Sequence, residues 1–317
     1  MRRDADISMI LAAVADPQGK GQVAAPKAVE LAHLLGAEVV LYHACYEASL
    51  AGGRILDSKG LARARRGIVA ERKAELDDLA GRLSTEAVTV SAIVEWQKHI
   101  PEAVVRAALG VHADLMVAEP RYRGTQRSRL GLSHTDWELA RLCPMPLLLA
   151  RTRAPYGKPR LLAAVDPGGH GERESQLDVK IVEVAGRLAE IASGSVQVVH
   201  ALHPAFRALG VPPRALRSER ERTRELLRHL ALGAGLRASS VRVVEGDPAE
   251  ALLEMATTDG IDLLVMGTFV RGPLQRALFG STAERLVNVV PCDVLILKPD
   301  GFKSPVPPPT RRSRGKS

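Results

Sequence analysis

Three cysteines in 317 residues, Cys45, Cys143 and Cys292, stand far apart and form no CxxC pair. That argues against a disulfide framework and gives no paired thiols for zinc, and Cys143 and Cys292, flanking the last strands, read as buried small hydrophobes. Aromatic residues make up only 3% of the chain, too few for the stacking platforms on which single-strand binders lay out bases. No run approaches the roughly 20 consecutive apolar residues of a membrane span. The opening MRRDADISMI leads into a strand pattern without a signal-peptide core, so the expectation is a cytoplasmic chain with no membrane contact. Also missing are the G-x-S-x-G elbow, the G-x-x-x-x-G-K-S/T phosphate loop and H-E-x-x-H, which leaves no catalytic candidate and predicts a non-enzymatic protein.

What is present is an ordinary globular balance, 46% hydrophobic and 25% charged, in a chain long enough for two domains of about 150 residues each. The net charge of +8 favours polyanions, although part of it lies in the terminal RRSRGK.

The chain repeats itself. SMILAAVADPQGKGQVAAPKAVELAHLLGAEVVLYHA matches PRLLAAVDPGGHGERESQLDVKIVEVAGRLAEIASGSVQVVHA, DLMVAEPRYRG matches DLLVMGTFVRG, and CPMPLLLAR matches PCDVLILKP. Within the first repeat, short apolar runs at 10–15, 39–43, 88–95, 115–118 and 147–150 alternate with helical patterns near 25–35, 61–83, 101–109 and 135–142. Apolar strands joined by crossover helices imply a parallel sheet covered on both faces, so each repeat reads as a doubly wound, Rossmann-like α/β domain. The segment RTRAPYGKP, Arg151 to Pro159, reads as a linker. The organisation expected is a domain over 1–153, a second over 154–300, and a basic, disordered tail over 301–317.

In such a fold ligands bind beyond the carboxyl ends of the strands. Asp166 ends the first strand of the second repeat, where its carboxylate can accept from a ribose hydroxyl or a base amine, or form an Asx turn before Pro167. After the fourth strand comes MGTFVRGPLQRALFGSTAERLV, in which Gly267, Gly272, Gly280, Ser281 and Thr282 lead into a helix. Those residues suit a phosphate at a helix N-terminus, or equally a glycine-rich turn with a hydroxyl N-cap. In the first repeat Glu119 or Pro120 stands where Gly267 would be, and Ser133 and His134 replace Gly280 and Ser281, so no nucleotide site is expected there despite Asp16. Arg121, Arg123, Arg127 and Arg129 follow, a loop that can take an anion or RNA or simply be solvated. His43, His200 and His203 suggest metal only loosely, since no carboxylate or thiol completes a set.

These residues carry a resemblance to the universal stress proteins, and the paired blocks SHTDWELARLCP and STAERLVNVVPCDVLILKPDGFKSPV extend it over nearly the whole chain, to the tandem proteins of the E type. Members of that family that bind ATP show Gly, two residues, Gly, nine residues, then Gly followed by Ser or Thr. Gly267, Gly280 and Ser281 occupy three of those positions, and Val270 stands at the missing glycine. The resemblance implies a stress-response regulator whose last strands, 147–150 and 294–297, pair to form a pseudo-dimer. By it Asp166 would contact adenosine, Met266 and Gly267 line the loop, and Gly280, Ser281 and Thr282 hold phosphates. A weakly bound ATP or related adenine nucleotide is the ligand expected. The alternatives are another small ligand, a partner protein, or RNA, the last not favoured.

Overall fold

The computed structural model describes residues 7–19, 22–50, 57–120, 133–167, 172–202, 212–268 and 281–309, with the backbone alone at 172–175, 281 and 282. The chain divides into two compact units. The first holds Met1–Glu119, His134–Met145 and Ser304–Ser317, and the second Pro120–Ser133 and Pro146–Lys303.

The first unit contains β1 (Met9–Ala13), α1 (Ala24–Leu35), β2 (Glu38–Cys45), α2 (Ser58–Leu83), β3 (Val90–Trp96), α3 (Ile100–Gly110), β4 (Leu115–Ala118) and α4 (His134–Leu142). Its strands are parallel in the order β3-β2-β1-β4. Seven consecutive residues of β2, Val39 to Cys45, are buried, as expected of a parallel strand covered on both faces. Helix ends follow local chemistry. Gly36, at φ 69°, closes α1 by donating its N–H to Ala32, and the Asp57 carboxylate caps α2 through the N–H of Gly60.

The second unit contains β5 (Leu147–Leu149), β6 (Arg160–Ala164), α5 (Glu172–Ile191), β7 (Ser195–Leu202), α6 (Pro213–Gly233), β8 (Val241–Glu245), α7 (Pro248–Thr258), β9 (Leu263–Gly267), α8 (Ser281–Val289) and β10 (Asp293–Leu297). The order is β5-β10-β9-β6-β7-β8, parallel except for β5 against β10. The two last strands of the repeats therefore meet as expected, with Leu149 opposite Val294 and Leu147 opposite Ile296. Pairing covers an apolar edge that would otherwise stay open. It also places β5 in the second unit, which by contacts takes up the chain again at Pro146.

The linker and the first part of the expected tail are both packed. In the linker, the buried carboxylate of Asp293 accepts the amides of Arg151 (2.6 Å) and Thr152 (2.9 Å) and the Tyr156 hydroxyl (2.7 Å). Beyond Gly301 the chain differs from a solvated tail, because Val306 is 5% exposed and Pro309 lies against Gly110. Residues 310–317 lie outside the described ones. No helix among the described residues is long and apolar enough to cross a membrane.

Candidate functional site

In the second unit the chain runs from β6 to β7 on one side and reaches β9 on the other, so β6 and β9 flank the point where strand order reverses. Ligand crevices of open α/β sheets lie at that point, beyond the carboxyl ends. Ala164 pairs with Met266, which brings Asp166 and Gly267 together at the same edge. Three of the residues expected from sequence, Asp166, Met266 and Gly267, are thus assembled by two neighbouring strands. Gly280 and Val270 lie outside the described residues. Ser281 and Thr282 begin α8, their side chains undescribed.

Asp166 is held by its surroundings. Its amide donates to Asp178 Oδ1 at 3.1 Å, and its carboxylate lies 3.5 Å from His200 Nδ1. The same ring nitrogen lies 3.0 Å from the Val165 carbonyl, so it carries the proton and donates. The first unit repeats this bond between His43 and the Val14 carbonyl at 2.9 Å. Both histidines therefore shape the exit of a first strand. Among the described residues no group of three His, Cys, Asp or Glu side chains is placed to hold a metal.

Asp178 escaped the sequence reading. It is 4% exposed on α5, and with Ile181, Val182 and Ala185 it falls at i, i+3, i+4 and i+7. An acid inside a core-facing stripe was the available signal. Lys298 was missed as well. It follows β10, is 4% exposed, donates to the buried Thr268 hydroxyl at 2.8 Å and lies 5.1 Å from the Phe302 ring centre. A buried ammonium thus stands one strand from Gly267 at the same edge.

Gly267 has a packing role of its own. A Cβ there would come within 2.6 Å of Leu177 Cδ2 and 3.1 Å of Ile181 Cδ1, so those side chains would have to shift. Glycine lets α5 sit this close to the strand end without that shift.

The first unit departs at this place. Since Ala13 pairs with Ala118 as Ala164 does with Met266, Glu119 is the counterpart of Gly267. Its carboxylate accepts the Val23 amide, at the N-terminus of α1, at 2.6 Å, so the chain's own anion sits where helix amides favour one. Asp16 forms an Asx turn, its carboxylate accepting the Gln18 amide at 3.1 Å. A cleft of about 200 Å³ opens between these groups. His134, the counterpart of Ser281, begins α4 and faces Glu138 at 3.4 Å.

Two doubly wound units, each with an acid after the first strand at the switch point, and a glycine ending the fourth in one of them, define a tandem α/β protein of the Rossmann-like class. The chain belongs to the universal stress protein family, a family of the stress response, which it matches twice, over residues 8–151 and 159–298. It is similar to universal stress protein E of Escherichia coli K12, with 25% identity over 300 residues covering 92% of this chain and 95% of that one. Two solved structures share the fold. One is a protein of unknown function from Pseudomonas aeruginosa PAO1, with TM-score 0.73 and 23% identity over 93% of this chain and 94% of that one. The other is a universal stress protein from Archaeoglobus fulgidus, with TM-score 0.56 and 14% identity over 92% of this chain and 98% of that one.

Proposed function

We propose that this protein is a cytoplasmic, non-enzymatic stress regulator whose second domain binds ATP or a related adenine nucleotide weakly. The observation that carries this reading is the pairing of β6 with β9, which sets Asp166 beside Met266 and Gly267 at the switch point. The acid offers an acceptor for adenosine hydroxyl or amine donors. The start of α8 at Ser281 offers amide donors for phosphate, and the buried Lys298 ammonium adds favourable potential at the same edge. The first domain, with Glu119 in place of glycine, takes no part in nucleotide binding. Partner proteins would then read the state of the second domain. The RNA alternative rests on Arg121, Arg123, Arg127, Arg129 and the tail, and of these the four arginines and residues 310–317 lie outside the described residues.

Titration calorimetry with ATP on the parent and on Gly280→Val and Val270→Gly variants tests the reading. Gly280→Val places a side chain where phosphates approach, so heat should vanish while the fold persists. Val270→Gly restores the family glycine and should tighten binding about tenfold, ~1.4 kcal/mol. Equal heats from all three proteins, or none at millimolar ATP, would refute it.

A further inference from the structure

Strand register lines up three residues of the second unit in one row. Asp166 lies two residues past Ala164, and Lys298 two past Ile296. Both Ala164 and Ile296 pair with Met266, which Thr268 follows by two. Asp166, Thr268 and Lys298 therefore stand side by side at the carboxyl edge of β6, β9 and β10. The bond of 2.8 Å from the Lys298 ammonium to the Thr268 hydroxyl is the row seen at the level of side chains. With neighbouring strands about 4.8 Å apart, the acid and the cation are roughly 10 Å from each other, one on either side of β9.

The two ends of the row differ in exposure. Asp166 is held by the Asp178 carboxylate and faces His200, yet its side chain is 47% exposed and open to a ligand's donors. Lys298 is 4% exposed, enclosed by the Thr268 hydroxyl, itself 1% exposed, and by the Phe302 ring. From α5, Lys180 reaches Asp300 at 2.6 Å and the Lys298 carbonyl at 3.4 Å, which fastens the turn that carries Phe302. Water is largely excluded from the Lys298 ammonium, so its field carries further along the edge than that of an exposed lysine.

We propose that Lys298 is the residue by which the second domain selects the length of a phosphate chain, favouring nucleoside di- and triphosphates over monophosphates and free nucleosides. The inference rests on the nucleotide reading above. A nucleotide whose ribose hydroxyls donate to Asp166 carries its first phosphate one ester bond from the sugar, short of the cation. Each further phosphate extends negative charge across β9. Helix α8 connects β9 to β10, so the amides proposed for phosphate lie on the Lys298 side of the crevice. The enclosed ammonium acts through its field, which rewards each added charge that comes nearer.

The test is calorimetric titration of the full chain with adenosine, AMP, ADP and ATP. In the parent, affinity should rise along that series, with ATP about tenfold or more tighter than adenosine. Lys298→Met should close that gap, and Lys298→Gln, which keeps a donor for Thr268, stands in if the first variant fails to fold. Asp166→Asn should weaken adenosine and ATP together, so that their ratio persists. Lys303→Met removes an equal charge from an exposed position and should also keep the ratio. The proposal alone is overturned, with the nucleotide reading left standing, if the parent binds adenosine and ATP alike. It is likewise overturned if a folded Lys298 variant keeps the parent's ratio, or if Lys303→Met closes the gap as fully. Absence of binding by all four ligands at millimolar concentration overturns both readings.

Discussion

The Tyr156 hydroxyl donates to the carboxylate of Asp293 at 2.7 Å, and Asp293 has no exposed surface. This bond ties the segment between the repeats to the first residue of β10. Tyr156→Phe removes one donor from a buried anion and should cost about 1–3 kcal/mol, read from urea unfolding. Asp293→Ala deprives two backbone amides and a hydroxyl of their acceptor together, and should cost more. Equal stability of Tyr156→Phe and the parent would show that the segment is held by its other contacts.

Gly267 separates packing from binding. Gly267→Ala forces a methyl against Leu177 and Ile181 and should destabilise the fold by about 1–3 kcal/mol. In a Leu177→Ala background the room is restored, and the added penalty should fall close to zero. Were the glycine needed only for approach of a ligand, stability would be unchanged in both backgrounds.

Burial pushes the Cys292 thiol up to about 12 from its ordinary 9.0, with the Asp293 charge adding to the effect. Burial likewise raises Cys45, and burial together with the Glu95 carboxylate raises the Tyr42 hydroxyl. In each case the folded state keeps a proton that the unfolded state releases. Stability should therefore hold up to about pH 9 and decline above it, by up to about 1.4 kcal/mol per pH unit for each group. Denaturant midpoints measured across the alkaline range check the sign. All three cysteines are buried, so a thiol reagent at pH 8 should label none in the native protein and all three after unfolding.

Asp247 caps α7 through the amides of Ala249 (3.0 Å) and Glu250 (3.1 Å) and receives Arg285 at 2.7 Å. The Arg285 bond, followed by those amides, holds its carboxyl below the ordinary 3.8. A depressed value gives stability that is present above the ordinary value and lost as pH falls through the depressed one. Asp247→Ala should cost about 1 kcal/mol at neutral pH. The gap from the parent should narrow in acid, as thermal unfolding across pH would show.

Much of this was legible in the chain alone. The repeat, the strand and helix alternation and the position of Asp166 follow from local apolar periodicity, which neighbouring residues settle among themselves. The acid of Asp178 in a core stripe and the Lys298 after β10 were visible as residue types, but their meaning required knowing what packs against them. Sequence equally offered Glu119 or Pro120 as the counterpart of Gly267. Only strand register chose Glu119, because a counterpart across a sheet is set by hydrogen-bond pairing between distant segments.

Sequence by itself determined the family, the doubly wound class and the loss of the phosphate-loop glycine from the first repeat, since each is written in short, contiguous stretches. Tertiary structure alone decided that β5 belongs with the second unit, that Val306 returns to the first, and that a cleft opens beside Glu119. Edge pairing, burial and empty volume arise between segments many residues apart, and no local pattern encodes which of them will meet.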